Sequence, residues 1–505
     1  MIKIKNVVNR RKRRKTFRIS KKEISNKTSI KTLFIFILLF LLLFLLYFRT
    51  IFRKSITRNF IQNEKINEPF IYKNNSLSDR CVKLDPITLL KERLNTQPIN
   101  LCDSKLSKHI CYKNSNSNIN HLFQTKNGVF CEINNIILDP SKWRKENPEE
   151  QKTNKGAPIL SEGFYNAKCD NIGTIGEYGH RYKQYFNAWN YNYNNNENLE
   201  ELAPGKIIFF MSRNADSNNL FHGGSELMNV ISLMKILKIE PEKVKIIFLE
   251  GFIMKKDNFF DLYKNIVSRG GEPVHISTLT KKYHISSAIH VPIDWDSPCF
   301  IFSSVPKCIQ STESYQYLNN LIDKYININF TDPFISNNET YYYPKSVIDN
   351  HLSNNIFVKS ITIQWRKVWP KNRKNQGRLM GNGPELADKL SSILPKNYLI
   401  RLVDTANLPI LEQISLARKS DYFIGIHGAG LFLTVFTPSH CINHEILSRP
   451  NMNGLILMSS LSGHITYSHK LSAENKKIEE KSYIFFNLDN FAEKIINTMK
   501  RHNFF

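Results

Sequence analysis

The chain has 505 residues, room for about three domains at roughly 150 residues each. Hydrophobic residues make up 41% and aromatic ones 12%. This excludes wholesale disorder, and 20 Gly with 20 Pro exclude a collagen-like or linker-dominated chain. The net charge of +26 raises nucleic acid as a partner, but 13 Lys/Arg against one acid fall within residues 1–31, where the next segment explains them.

That segment, Leu33–Phe48, is an unbroken run of 16 apolar residues, about 24 Å as a helix. Snorkelling of Arg49 adds Ile51 and Phe52, enough to cross a thin early-secretory membrane. A cleaved signal peptide would end in small residues, whereas Arg49–Lys54 follows here. The cluster Arg10–Lys15 then holds the N-terminus in the cytosol instead of binding nucleic acid. The expectation is a single-pass type II protein of the Golgi or endoplasmic reticulum membrane, anchored through residues 32–52. All eight cysteines lie beyond the span, as disulfides in an oxidising lumen require. Cys299–Cys308 is the easiest local pair to imagine, and Asn74, Asn329 and Asn338 are glycan acceptors by motif.

Residues 53–80 read as a polar stem and residues 81–155 as a cysteine-containing, loop-rich region. Asn190–Glu197 is an Asn-rich loop. Beyond it strands and helices alternate in two blocks. The first has strands at Lys206–Met211 and Val244–Leu249, with helices at Ser225–Leu237 and Phe259–Val267. The second has strands at Ile361–Trp365, Tyr398–Val403, Tyr422–Ile426 and Ile442–Leu447, with helices at Pro384–Leu394 and Pro409–Lys419. This predicts an α/β fold of two Rossmann-like, doubly wound parallel sheets facing a cleft, over residues 156–350 and 351–505.

The sharpest local feature is His427-Gly428-Ala429-Gly430, between an apolar strand and an apolar helix. Small residues at such a turn let backbone N–H groups approach a phosphate, and the helix start favours its charge. The same residues also suit an ordinary tight turn with a buried histidine. An α/β-hydrolase would need a G-x-S-x-G elbow, which the chain lacks. Asp294-Trp295-Asp296 spells a D-x-D, but alone it is weak evidence for a metal.

The segment Leu402–Leu447, with Glu412-Gln413, His427–Leu431 and Glu445 in order, resembles the signature of glycosyltransferase family 61. Asn219-Leu220-Phe221-His222 with Glu226 is similar to that family's N-[LM]-[FYM]-H-x-x-x-D, and Val244–Gly251 to the strand that follows. Within the family, the likeness is to plant-type N-glycan core β-1,2-xylosyltransferases and to O-linked N-acetylglucosamine transferases. Two positions depart from the pattern: Glu226 replaces the usual Asp, and Phe432 stands where Thr is common.

The resemblance implies a GT-B fold and an inverting transfer from a UDP-sugar to a glycan or glycoprotein, without cofactor or metal. Residues 156–350 become the acceptor-side domain and 351–505 the donor-binding one. An inverting transfer needs a base for the acceptor hydroxyl and a stabiliser for the departing diphosphate. The catalytic candidates are Glu226 and His222, four residues apart. The donor-binding candidates are His427, Gly428, Ala429, Gly430, Glu445, Arg366 and Arg378, with Glu445 placed to accept a bond from a ribose or to pair with an arginine. A catalytically dead sugar-binding relative is the reading from a different class, motivated by Glu226.

Overall fold

The computed structural model describes residues 79–113, 129–147, 149–150, 157–175, 182–194, 198–213, 219–252, 259–269, 271–292, 308, 310–327, 331–333, 339–367, 379–447, 454–470, 473–478 and 481–504. The expected anchor, stem, glycan acceptors, D-x-D, Cys299 and Arg378 lie outside them, apart from the last two stem residues. Among the described residues no helix is long and apolar enough to cross a membrane. Ser76–Phe505 forms one compact unit.

The chain is mixed α/β. The first sheet contains β1 (Ile99–Asp103), β2 (Lys108–Lys113), β3 (Val129–Leu138), β4 (Tyr165–Asn166), β5 (Asn171–Ile172), β6 (Trp189–Asn190), β7 (Ile207–Met211), β8 (Val244–Phe248), β9 (Val274–His275) and β10 (Tyr283–His290). Its main path runs β5-β1-β2-β3-β10-β7-β8-β9. Along that path β10, β7, β8 and β9 pair in parallel, as β4 and β6 do off it; β1, β2, β3 and β10 are antiparallel neighbours. The expectation of a wholly parallel sheet is therefore corrected for this block. The stretch expected to be loop-rich supplies three of its strands and the helices Asp79–Leu84 and Pro86–Leu94.

Three disulfides tie this part together: Cys81–Cys308, Cys102–Cys169 and Cys111–Cys131. Cys308 thus bonds across 227 residues of sequence and not to Cys299. Cys111 and Cys131 face each other in the β2–β3 ladder, which is why two cysteines 20 residues apart can meet.

The second sheet follows the predicted pattern closely. It is formed by β11 (Tyr341–Tyr342), β12 (Lys359–Gln364), β14 (Tyr398–Val403), β15 (Tyr422–Ile426), β16 (Ile442–Leu447) and β17 (Ile465–Lys470), in the order β11-β14-β12-β15-β16-β17. All neighbours are parallel except β11 with β14. A small third sheet joins β13 (Leu379–Met380), β18 (Ala473–Ile478) and β19 (Lys481–Phe486). Parallel strands buried on both faces read as continuous apolar runs, and β14 and β15 are buried at every position.

One apolar core joins the two blocks. Leu227, Met228 and Ile231 of the helix Leu220–Ile236 share it with Ile410, Ile414, Leu431 and Phe432 of the second block. This shared core places the start of that helix against the segment following β15.

Candidate active site

β15 ends at Ile426, and the chain turns through His427 and Gly428 into the apolar helix, Ala429–Phe436, which is of the 3-10 type. The His427 N–H donates to the Ile446 carbonyl at 2.9 Å, which continues the β15–β16 ladder by one residue. Ala429 and Gly430 are partly exposed.

The glycines make room for side chains of the adjacent strand. A Cβ on Gly428 would stand 1.7 Å from Arg366 Nη1, and one on Gly430 would stand 2.1 Å from Gln364 Nε2. Arg366 donates to the His427 carbonyl at 3.1 Å, while buried Gln364 donates to Thr405 Oγ1 at 2.8 Å. Gly428 has φ 165°, an extended conformation open to any residue, so its demand is for space. His427, Gly428, Gly430 and Arg366 are thus brought together at the carboxyl ends of β12 and β15, where open α/β sheets bind ligands.

Glu445 is 2% exposed on β16. One carboxylate oxygen lies 2.5 Å from His427 Nδ1, and the other accepts from Ser468 Oγ at 2.7 Å. Its observed partners are therefore a histidine and a serine, and not an arginine.

In the first block, Asn219 is the N-cap of the helix Leu220–Ile236, its side chain accepting from the Phe221 N–H at 3.1 Å. The N-L-F-H pattern is thus a helix start with a capping residue. His222 is half-buried, whereas Glu226, one turn on, is 2% exposed. Between them Gly224 packs on Phe432, whose ring atoms would lie 2.3–2.5 Å from a Cβ there. The Phe432 departure thus fills a notch opened by Gly224, and links the helix carrying both catalytic candidates to the segment after His427–Gly430. Gly224→Ala should lower stability by about 1–3 kcal/mol through overpacking. Most of that loss should vanish in a Phe432→Leu background, with thermal unfolding of the four variants as the measurement.

Three charged residues outside the predicted set stand after strands. Arg213 and Glu250, beyond β7 and β8, form a fully buried pair with Arg213 Nε 2.7 Å from Glu250 Oε1. The guanidinium also lies over the Phe248 ring at 3.7 Å, and the Arg213 N–H donates to the other Glu250 oxygen, so the pair joins the ends of the two strands. Asp404, after β14, is pushed up to about 6 by burial and caps the turn Thr405–Asn407 through the Ala406 N–H. A charge directly after an apolar run was the available signal for Glu250 and Asp404, and one residue further on, past Ser212, for Arg213. His109, Cys111 and Cys131 also lie within mutual reach, but both sulfurs are committed to their disulfide.

No curated protein matches the chain. The family model described as Glycosyltransferase 61 matches residues 278–442, a stretch that includes Arg366 and His427–Gly430 but neither the Asn219 helix start nor Glu445. Together with the residues gathered at the ends of β12 and β15, that match supports the assignment of this chain to glycosyltransferase family 61.

Proposed function

We propose that the protein is a membrane-anchored inverting glycosyltransferase of the GT-B type, moving a sugar from a UDP-sugar to a glycan or glycoprotein. The observation that carries this reading is the His427–Gly430 turn with the Arg366 guanidinium beside it, within a family-61 match. In the reaction, a base takes the proton of an acceptor hydroxyl while that oxygen bonds to the sugar's anomeric carbon. The bond from that carbon to the diphosphate breaks, and the electron pair leaves with UDP. Arg366, Arg378, His427 and the backbone of Gly428–Gly430 would bind the developing charge. Metal is not required in this scheme, since guanidinium and imidazole groups do the neutralising.

The base is assigned to His222. It is half-buried and can meet an acceptor, whereas Glu226 is almost fully enclosed. β-1,2-Xylosyl transfer to the N-glycan core is the specific proposal, with O-linked N-acetylglucosamine transfer to protein as the runner-up. A panel of UDP-sugars incubated with the full chain in detergent, scored for UDP release with and without acceptor, tests both. Binding without release for every donor would favour the sugar-binding relative.

The placement proposed is type II in the Golgi or endoplasmic reticulum membrane, supported by the Leu33–Phe48 run and the three disulfides. In sealed microsomes residues 55–505 should resist added protease and carry endoglycosidase-sensitive glycan. Complete digestion without detergent would reverse the orientation.

A further inference from the structure

We infer that Glu445 is a positioning residue that sets the proton and orientation of His427, and that it makes no contact with the donor's ribose. The inference rests on the donor-site reading of the His427–Gly430 turn. Gly425, Glu445 and Ser468 stand in register across β15, β16 and β17, so they form a row on one face of the sheet. His427 lies two residues past Gly425, at the strand's open end. Glu445 reaches from the row to His427 Nδ1 at 2.5 Å and is itself held by Ser468 at 2.7 Å.

Both carboxylate oxygens are engaged and the side chain is 2% exposed. Each oxygen can accept a second bond, but a ribose hydroxyl has almost no surface of Glu445 to reach. Turning the side chain toward it would break its bonds to His427 and Ser468 inside the protein, where an unmet polar group is costly. A carboxylate only accepts hydrogen bonds, so Nδ1 of His427 carries a proton. Nε2, on the other edge of the ring, is then the nitrogen through which His427 meets a donor. A diphosphate oxygen there calls for a second proton, and the carboxylate behind Nδ1 stabilises the resulting imidazolium. Arg366, bonded to the His427 carbonyl, adds its charge on the same side of the turn. Ser468 limits the rotation of Glu445, and so of the imidazole.

The test uses the full chain in detergent with ¹⁵N-labelled histidine, and UDP and uridine as probes. In the wild type, the ring nitrogens of His427 should report a protonated Nδ1. In Glu445→Ala they should shift toward the Nε2–H tautomer. UDP affinity should fall about 10- to 100-fold in that variant, as for loss of a hydrogen bond to a charged group, while uridine affinity stays unchanged. His427→Ala should lose as much, and the double variant no more. Glu445→Gln, neutral and of the same shape, should lower UDP affinity without lowering uridine affinity, and serves if the alanine variant does not fold. Equal losses for UDP and uridine would assign Glu445 to the ribose and overturn the inference, as would additive losses. If the wild type binds neither probe, the donor-site reading fails by itself. The nitrogen shifts then still decide whether Glu445 governs the imidazole.

Discussion

Gly428→Val is expected to weaken UDP binding by on the order of 10- to 100-fold while leaving the thermal unfolding temperature near that of the wild type. The cause is local. A Cβ at this position would meet Arg366 Nη1 at 1.7 Å and Cζ at 2.9 Å, so valine must drive the guanidinium away from the turn. Backbone strain adds nothing, since φ 165° suits any residue. The displaced group is the far end of a half-buried, flexible side chain, which can swing outward. What is lost is one charge-assisted contact to a diphosphate, a class worth about 1.5–3 kcal/mol. Arg366→Ala should therefore mimic Gly428→Val, and the double variant should be no weaker than either single one. Isothermal titration with UDP decides this. Undiminished affinity in folded Gly428→Val would make His427–Gly430 an ordinary turn.

Gly430 supplies the contrast. A side chain there meets the buried amide of Gln364, which is bonded to Thr405. Gly430→Val must break that bond inside the protein, so it should destabilise the fold together with any effect on UDP. The two glycines look alike in sequence, where both read as clearing space for a phosphate. The structure separates them by the neighbour each one admits.

The same contrast runs through the fold. β15 has the ends that its apolar run predicts, because a strand buried on both faces reads as a continuous hydrophobic stretch and stops where it ends. β14 and β16 also have their predicted ends, although Arg401 interrupts the first and Asn443, His444 and Glu445 the second. β1 to β3 were not legible. Their runs are interrupted by Lys, Asn and Cys, and β2 and β3 are held by partners and a disulfide distant from the local pattern. Ala429–Phe436 has the apolar composition of a buried helix, yet composition does not distinguish a 3-10 from an α turn. At the site, the residue types were readable and their pairings were not. His427 and Glu445 were both visible as candidates, but that Glu445 serves His427 follows from strand order, which places β16 beside β15. Phe432 appeared as a departure from the family pattern, and its reason is Gly224, distant in sequence.

His222→Ala is expected to lower turnover by about 10²–10⁴, the range for removal of a general base. UDP affinity should remain within a few-fold of wild type, because the residue belongs to the helix Leu220–Ile236 and not to the turn after β15. Helix geometry puts His222 and Glu226 on one face, four residues apart. The two differ in burial: the histidine is half-buried and the glutamate 2% exposed. A base must touch the acceptor hydroxyl, and the histidine has the surface to do so. Glu226→Gln separates the roles. If Glu226 supports the helix or the imidazole from within, the amide should reduce turnover less than His222→Ala does and should shift the pH profile. If Glu226 is itself the base, Glu226→Gln should lose the full 10²–10⁴ with no shift in pH dependence, and His222→Ala should retain most activity. Single-turnover rates with saturating UDP-sugar, measured across pH for both variants, decide between these outcomes. Equal, near-wild-type rates in both folded variants would remove this helix from the chemistry altogether.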